Sequence, residues 1–229
     1  MTILGINHTA KALAFLQKMQ ETTANNLANA NTAGFKLDRL TGRLDAEGPG
    51  PEAVHVTDLA QGPMQVTGSD FDVALAGAGF LVVRTPAGER LSRGGSLRLD
   101  AGGQLVEQDG APVLGTRGPI LAPAGTLRVE ADGSVFVGGE FVDTLRLETV
   151  ADPATLRKEG AGRFVAAGAT VRAEGLVVRQ GQLERANGDV LGGMVDLVTI
   201  QRAYTANVDA LKAMDGVLAT VAGDVGRLG

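Results

Sequence analysis

The side chains that most often carry chemistry are few in this sequence and lie far apart. Its 229 residues include two histidines, His8 and His55, and no cysteine. A metal site gathers His, Cys or carboxylate ligands at helix or turn spacing, and neither histidine has such neighbours along the chain. We therefore expect both histidines to be solvated or to cap local structure, and the sequence predicts no metal site.

Two other patterns resemble functional motifs but fail in their context. Gly77-Ala78-Gly79 follows an apolar run, as in a dinucleotide-binding fingerprint, yet the third glycine position is Val82 and a strand pattern follows. Ser69-Asp70 has no histidine nearby to make a nucleophile, and Glu107 and Asp109 are expected to be solvated on a strand and a turn. The sequence therefore predicts no cofactor and no enzyme active site.

Composition and charge exclude several classes of partner. The formal net charge of -5 and the lack of a basic block argue against nucleic-acid binding. The sequence contains no run of 18 apolar residues and therefore predicts no membrane-spanning helix. The N-terminus lacks the apolar core of a cleavable signal peptide. The 33 glycines spread among short apolar runs indicate many tight turns between short strands.

The C-terminal segment, from about residue 188 to 229, has apolar residues at a seven-residue period. The period is carried by Leu197, Tyr204, Leu211, Leu218 and Val225, with Ile200, Met214 and Val221 in the adjacent column. Gln201 and Asp215 place polar side chains in the remaining column, beside Met194 and Val208. This is the seam of a coiled coil, on a helix of roughly 35 residues and about 50 Å. We expect another helix to cover it.

The N-terminal segment, about residues 8 to 30, is a second amphipathic helix. Its apolar face comprises Ala12, Leu13, Phe15, Leu16, Met19 and Leu27. An Asn-rich stretch follows, in which Gly34 is expected to stop the helix with a positive φ angle and Phe35 to pack behind it. Asparagine is poor inside helices but can bond to neighbouring ones. We predict that Asn25, Asn26 and Asn29 do so in an assembly.

The middle of the chain has a period of two. Residues 70–185 alternate apolar and polar positions between turn signals such as Asp132-Gly133 and Gly138-Gly139, which predicts some ten short, half-buried strands. One short helical turn is expected from Asp152 to Leu156.

The predicted fold class is therefore mainly β. A central domain of short strands is flanked by N- and C-terminal helices that pair as a coiled-coil-like layer. The expected boundaries are 1–40 for the N-terminal helix and Asn-rich motif, 41–69 for a connector, 70–185 for the β domain and 186–229 for the heptad helix. The connector is expected to be a loop, broken by Gly48-Pro49-Gly50-Pro51 and with one short strand near Val54 to Val56. We expect the helical seam to be completed between subunits.

Three motifs, in order and over nearly the whole chain, resemble those of the bacterial flagellar axial proteins, the rod and hook family. They are ANNLANANTAGF at residues 24–35, the run from Asp70 to Gly115 that includes GFLVV and ERLSRGG, and IQRAYTAN at residues 200–207. The length and Gly118-Pro119-Ile120 look most like the proximal-rod type, with the distal-rod type next and the hook type after it. The sequence departs from the family pattern at Gly192-Gly193, and Ala186-Asn187-Gly188 only partly matches the Ser-Asn expected before the last helix.

The resemblance implies a structural subunit that self-assembles into a helical tube, the torque-transmitting rod of the flagellar basal body. Implied partners are copies of itself, other rod proteins and the flagellar type III export apparatus, without nucleic acid, membrane insertion or a cleaved signal peptide. The expected assembly interface comprises Leu13, Leu16, Asn25, Asn26, Leu27, Asn29, Leu197, Ile200, Gln201, Tyr204, Asn207, Val208, Leu211 and Leu218. The alternatives from other classes are a β-rich secreted binding module and a hydrolase with an unrecognised site.

Overall fold

The computed structural model divides the chain into two compact units. It describes residues 2–44, 51–123, 125–160 and 162–225, with side chains over 8–42, 53–123, 125–160, 162–217 and 219–220. The helical unit comprises Met1–Ala28, Asp38–Thr57 and Asp189–Gly229, and the β unit comprises Asn29–Leu37 and Asp58–Gly188. The predicted breaker at Gly48-Pro49-Gly50 lies outside the described residues. The expected fold class, mainly β with a helix at each end, is confirmed.

The helical unit contains two helices and one hairpin. Helix α1 spans Thr2–Ala28 and helix α2 spans Val190–Val225, and the two contact each other. Strands β1 (Asp38–Leu44) and β2 (Pro51–Thr57) form an antiparallel pair in contact with α1.

This hairpin occupies part of the segment, residues 41–69, that was expected to be a loop before the β domain. Val54 and Val56 alternate with polar residues and were recognised as a strand, but the partner strand carries only Leu40 and Leu44 as large apolar residues. Its pattern is therefore too polar to signal a strand by itself, and it is the pairing with β2 that fixes its conformation.

The β unit is built from many very short antiparallel strands. They are β3 (Met64–Val66), β4 (Val73–Ala76), β5 (Phe80–Thr85), β6 (Gly88–Ser92), β7 (Leu97–Leu99), β8 (Leu105–Glu107), β9 (Leu114–Gly115), β10 (Gly118–Pro119), β11 (Leu127–Val129), β12 (Ser134–Val137), β13 (Glu140–Thr144), β14 (Leu147–Val150), β15 (Leu156–Glu159), β16 (Arg163–Ala166), β17 (Thr170–Arg172), β18 (Val177–Gln180) and β19 (Gln182–Glu184). The described part of the chain thus holds more strands than the ten or so expected, because several have only two or three residues and leave no periodic signal.

The largest sheet has six strands in the order β15-β16-β6-β5-β14-β17. Its strand β5 is buried on both faces: Leu81 and Val83 belong to one apolar cluster, Phe80 and Val82 to another. This explains the unbroken apolar run GFLVV. Away from it the expected alternation is confirmed, as in β11, where Leu127 and Val129 are buried and Arg128 is exposed.

Strands from opposite ends of the β unit close it. Strand β3 pairs with β19, and β4 pairs with β18, so each pair joins residues more than a hundred positions apart. The predicted turns between neighbouring strands are also present. Gly138 and Gly139, both with positive φ, connect β12 to β13, and a 3-10 helix at Pro153–Thr155 begins at the capping side chain of Asp152.

Candidate functional site

The heptad seam predicted on α2 is the covered side of that helix. Ile200 is buried, and a further set of seam residues is half-buried: Leu197, Tyr204, Asn207, Val208 and Leu211. Gln201 is exposed, and so are Met194, Met214 and Asp215. The Met194-Gln201-Asp215 column is therefore mostly exposed and lies at the edge of the covered side, with Val208 as its half-buried member. The side chain of Leu218 lies outside the described residues.

The predicted face of α1 is covered to a similar degree. Leu13, Leu16, Asn26 and Leu27 are half-buried, as is Asn29 in the turn after the helix, whereas Asn25 is on the exposed side. Because α1 is the main neighbour of α2 within the chain, the seam is already partly covered in a single subunit. Leu211 is half-buried within the single chain, and completion of the seam between subunits stays a prediction.

Asn26 also has a partner different from the expected one. Its side-chain Nδ2 donates to the main-chain oxygen of Asp38 over 2.7 Å, and its Oδ1 accepts from the main-chain N–H of Asp38 over 3.0 Å. The amide thus mimics a strand partner for the first residue of β1 and ties α1 to the hairpin. In the single chain the Asn26 amide therefore uses both of its ends on the Asp38 backbone, and the bonds expected from the asparagines to neighbouring helices in an assembly stay a prediction.

Replacing Asn26 with Ala should therefore destabilise the helical unit. Alanine gains several tenths of a kcal/mol in helix propensity, but the loss of the two hydrogen bonds to the Asp38 backbone costs about 1–2 kcal/mol. We expect a net loss of about 1 kcal/mol in the free energy of unfolding. Unfolding monitored by circular dichroism at the helical band measures this loss.

Asn207 supplies the control for this prediction. It is also a half-buried helical asparagine, but its Nδ2 donates to the Ala203 carbonyl within the same helix, over 2.8 Å, and to no other group among the described residues. Asn207→Ala should leave stability unchanged or slightly raised. An Asn26→Ala chain as stable as the Asn207→Ala chain would contradict the proposed role of the Asn26 amide.

Helix α2 carries a second apolar stripe that is exposed. Leu191, Met194, Val195 and Val198 have exposed fractions of 74%, 49%, 66% and 48%. They follow the i, i+3, i+4, i+7 spacing, which places them on one side of the helix, about 150° around from the seam centre. Further along, the same side becomes polar at Arg202, so the stripe is confined to the first turns.

The start of α2 is fixed despite the departure at Gly192-Gly193. The Asp189 carboxylate accepts from the main-chain N–H of Leu191 at 3.1 Å and of Gly192 at 3.2 Å. These are N-cap hydrogen bonds, which satisfy helix donors that have no intrahelical partner.

In the β unit, the end of the Asn-rich motif is anchored in the interior. Gly34 has a φ of 67°, as predicted, but it does not stop the helix, because α1 already ends at Ala28. The Gly34 N–H donates to the Glu184 main-chain oxygen over 2.7 Å. Phe35 is buried, as predicted, with the Lys158 ammonium 3.6 Å from its ring centroid. The motif therefore packs against the residues that precede α2.

Next to Phe35 lies a buried cluster of three charged side chains: Lys36, Arg93 and Glu184. Lys36 Nζ contacts Glu184 Oε1 at 2.5 Å, and Arg93 contacts Glu184 Oε2 at 3.1 Å. The carboxylate also accepts from the Gly62 main-chain N–H at 2.8 Å. Burial lowers the pKa of Lys36, an effect that the hydrogen bond to Glu184 opposes, and burial likewise lowers the pKa of Arg93. No sequence pattern pointed to this cluster.

The residues considered first for chemistry form no catalytic arrangement among the described residues. His8 and His55 are exposed, and no group of three His, Cys, Asp or Glu side chains in the described chain could hold a metal ion. Glu107 corrects the expectation of a solvated carboxylate: it is buried against Arg163 at 2.5 Å. Arg163 also bonds to Asp109, which lowers the pKa of that carboxyl.

Three family profiles match the chain in the order of its motifs. Residues 6–36 match "Flagella basal body rod protein", residues 74–137 match "Flagellar hook protein FlgE/F/G D1 domain", and residues 179–223 match "Flagellar basal body rod FlgEFG protein C-terminal". The flagellar basal-body rod protein FlgF of Caulobacter vibrioides is 34% identical, over 93% of each chain. This chain belongs to the flagellar basal-body rod protein family.

Other relatives agree with that family. The rod protein FlgF of Escherichia coli is 32% identical over 86% of this chain and 88% of its own. The rod protein FlgG of Borreliella burgdorferi is 28% identical over 91% and 94%. The resemblance to the rod family, most to the FlgF type and next to FlgG, is confirmed, and with it a structural role in the flagellar basal body. In the described residues no helix has the length and apolarity needed to cross a membrane.

Proposed function

We propose that this rod-family chain polymerises with copies of itself and with other rod proteins through its helical unit, forming a tube that transmits torque. The observation that carries the proposal is the exposed stripe Leu191, Met194, Val195 and Val198 on α2. An exposed apolar surface of this extent is typical of an interaction site. Helix α1 covers part of the seam within the subunit, and the rest of the seam and the stripe are left to pack on neighbouring subunits.

The proposed interface keeps the sequence-predicted residues and adds this stripe. Because the stripe side chains are 48–74% exposed, covering each would contribute roughly half to three-quarters of the 1.5–3 kcal/mol of full burial, about 1–2 kcal/mol. Repetition of a head-to-tail contact generates a helical polymer when the rotation does not close. Delivery through the flagellar type III export apparatus, without membrane insertion, belongs to the same proposal. Its support is the family membership.

A charge placed in the stripe should block assembly without unfolding the subunit. Val195 is exposed, so Val195→Asp is expected to change the free energy of unfolding of the monomer by less than about 0.5 kcal/mol. An aspartate buried at a helix-helix contact is costly, so the variant should fail to polymerise and should not restore swimming to cells that lack the parent chain.

Thr205→Asp is the matched control, because Thr205 is also β-branched and exposed on α2, beyond the end of the stripe. It should assemble and swim. Sedimentation and negative-stain imaging of both variants decide the matter. A Val195→Asp chain that polymerises like the Thr205→Asp chain would overturn the proposed interface. Leu211→Asp is a poorer probe, because Leu211 is half-buried within the single chain.

A further inference from the structure

The chain passes repeatedly between its two units, and three of these crossings leave the β unit from one place. The three crossings lie between residues 37 and 38, between 57 and 58, and between 188 and 189. Leu37 and Asp58 are the last and first residues of the β unit at two of them, and Asn187 lies one residue before the third. All three residues belong to the β unit. The crossings therefore have a common origin that can be described within that unit alone.

One side chain ties these three segments together. Asn187 Oδ1 accepts from the Leu37 N–H over 2.9 Å, and its Nδ2 donates to the main-chain oxygens of Asp58 over 2.8 Å and Ala60 over 3.1 Å. The backbone adds to this: the Asp58 N–H donates to the Leu37 oxygen over 2.9 Å, and the Asn187 N–H donates to the Phe35 oxygen over 3.3 Å. The Asn187 amide thus uses both of its ends on backbone groups from two remote segments.

We propose that Asn187 is a positioning residue that gathers the three crossings into one anchor, through which load passed along the chain enters the β unit. When three chain connections are held at the same point, a force applied along the chain is divided among them. When they are not held together, each connection bears the force separately and extends in turn. That force passes through the anchor rests on the proposed function, while the anchor itself rests on the hydrogen bonds. It also gives a role to the one residue of the expected Ser-Asn motif that this chain retains.

Gln180 provides a matched control within the same unit. It is half-buried like Asn187 and makes the same three kinds of bond: Oε1 accepts from the Val129 N–H over 3.0 Å, and Nε2 donates to the oxygens of Asp70 over 2.7 Å and Leu127 over 2.9 Å. It joins segments within the β unit and none of the three residues beside the crossings. Gln180→Ala therefore removes an equivalent set of bonds at another place.

Amide hydrogen exchange on the full chain tests the anchor. In Asn187→Ala the Leu37 amide, which loses its acceptor, and the Asp58 amide beside it should exchange about tenfold faster or more, with Val129 unchanged. In Gln180→Ala the Val129 amide should accelerate and the other two should not. Unchanged exchange at Leu37 and Asp58 in Asn187→Ala would overturn the anchor.

Swimming at increasing viscosity tests the load. Cells that carry Asn187→Ala should swim in dilute medium but stop at a viscosity that the parent and Gln180→Ala tolerate. If both variants stop at the same viscosity, the load-bearing role is wrong although rod membership stands. If even the parent chain fails to restore swimming to cells that lack it, the proposed function is wrong and the exchange result remains a test of the anchor.

Discussion

Glu184→Gln should cost about 3–5 kcal/mol in the free energy of unfolding, the range expected when a buried ion pair loses one partner. Gln keeps the shape of the side chain but removes the single negative charge between the Lys36 ammonium and the Arg93 guanidinium, all of them buried. Two cations would then lie in the interior without a counter-charge. Denaturant unfolding of the β unit measures the loss.

Lys36→Met is the informative companion to this variant. It leaves Arg93 and Glu184 as a one-to-one pair, and the Glu184 carboxylate keeps its bond from the Gly62 N–H. The Ala60 oxygen, which accepts from Lys36 Nζ, retains the bond from Asn187 Nδ2. Since the remaining Arg93 and Glu184 charges balance and no buried charge is left uncompensated, this variant should lose less than about half as much. Equal losses in the two variants would contradict the charge-balance explanation.

Gly34→Ala should destabilise the β unit by about 2–5 kcal/mol. A left-handed conformation costs an L-residue roughly 1–2 kcal/mol, and Gly34 has a φ of 67°. A Cβ atom would also lie 2.1 Å from the Arg93 main-chain oxygen, so the backbone must shift, at a further cost of about 1–3 kcal/mol.

Gly68 separates the two contributions. Its φ is 73°, nearly the same as that of Gly34, but a Cβ there would meet nothing within 4 Å. Gly68→Ala should therefore cost only the roughly 1–2 kcal/mol of the strained backbone. Thermal unfolding of the two variants side by side measures the difference. If Gly34→Ala is no worse than Gly68→Ala, close packing of the motif against Arg93 is not what requires the glycine.

The features that the sequence predicted well are those with a local cause. The seam on α2 follows from a period that any helix of this sequence would display, and the positive φ at Gly34 and the Gly138-Gly139 turn follow from residue type. The hairpin β1–β2 was missed because Asp38–Leu44 is largely polar. Its conformation comes from pairing and from the Asn26 amide.

The buried ion pair of Lys36 with Glu184 and the Asn187 anchor could not be predicted, because they join residues far apart in the chain. Lys36 and Glu184 are separated by 148 positions, and Asn187 and Leu37 by 150. A lysine and a glutamate in a polar stretch ordinarily remain solvated. Only the closed fold brings them together, so no spacing in the sequence could mark them. The four-residue stripe on α2 was missed for another reason: its residues look like part of an ordinary apolar helix until the covered side is known.

The pairing of β3 with β19 and of β4 with β18 determines when this chain can fold. These contacts have a high sequence separation, and such contacts form late because a long loop must close before they are made. A chain that emerges end-first from a narrow channel, in either direction, lacks one member of each closing pair until almost all of the β unit is free. The contacts of Glu184 with Lys36 and of Asn187 with Leu37 likewise cannot form until both members of each pair have emerged. An incompletely emerged chain therefore cannot complete the β unit and stays unfolded there, and the β unit folds only when nearly all of the chain has emerged.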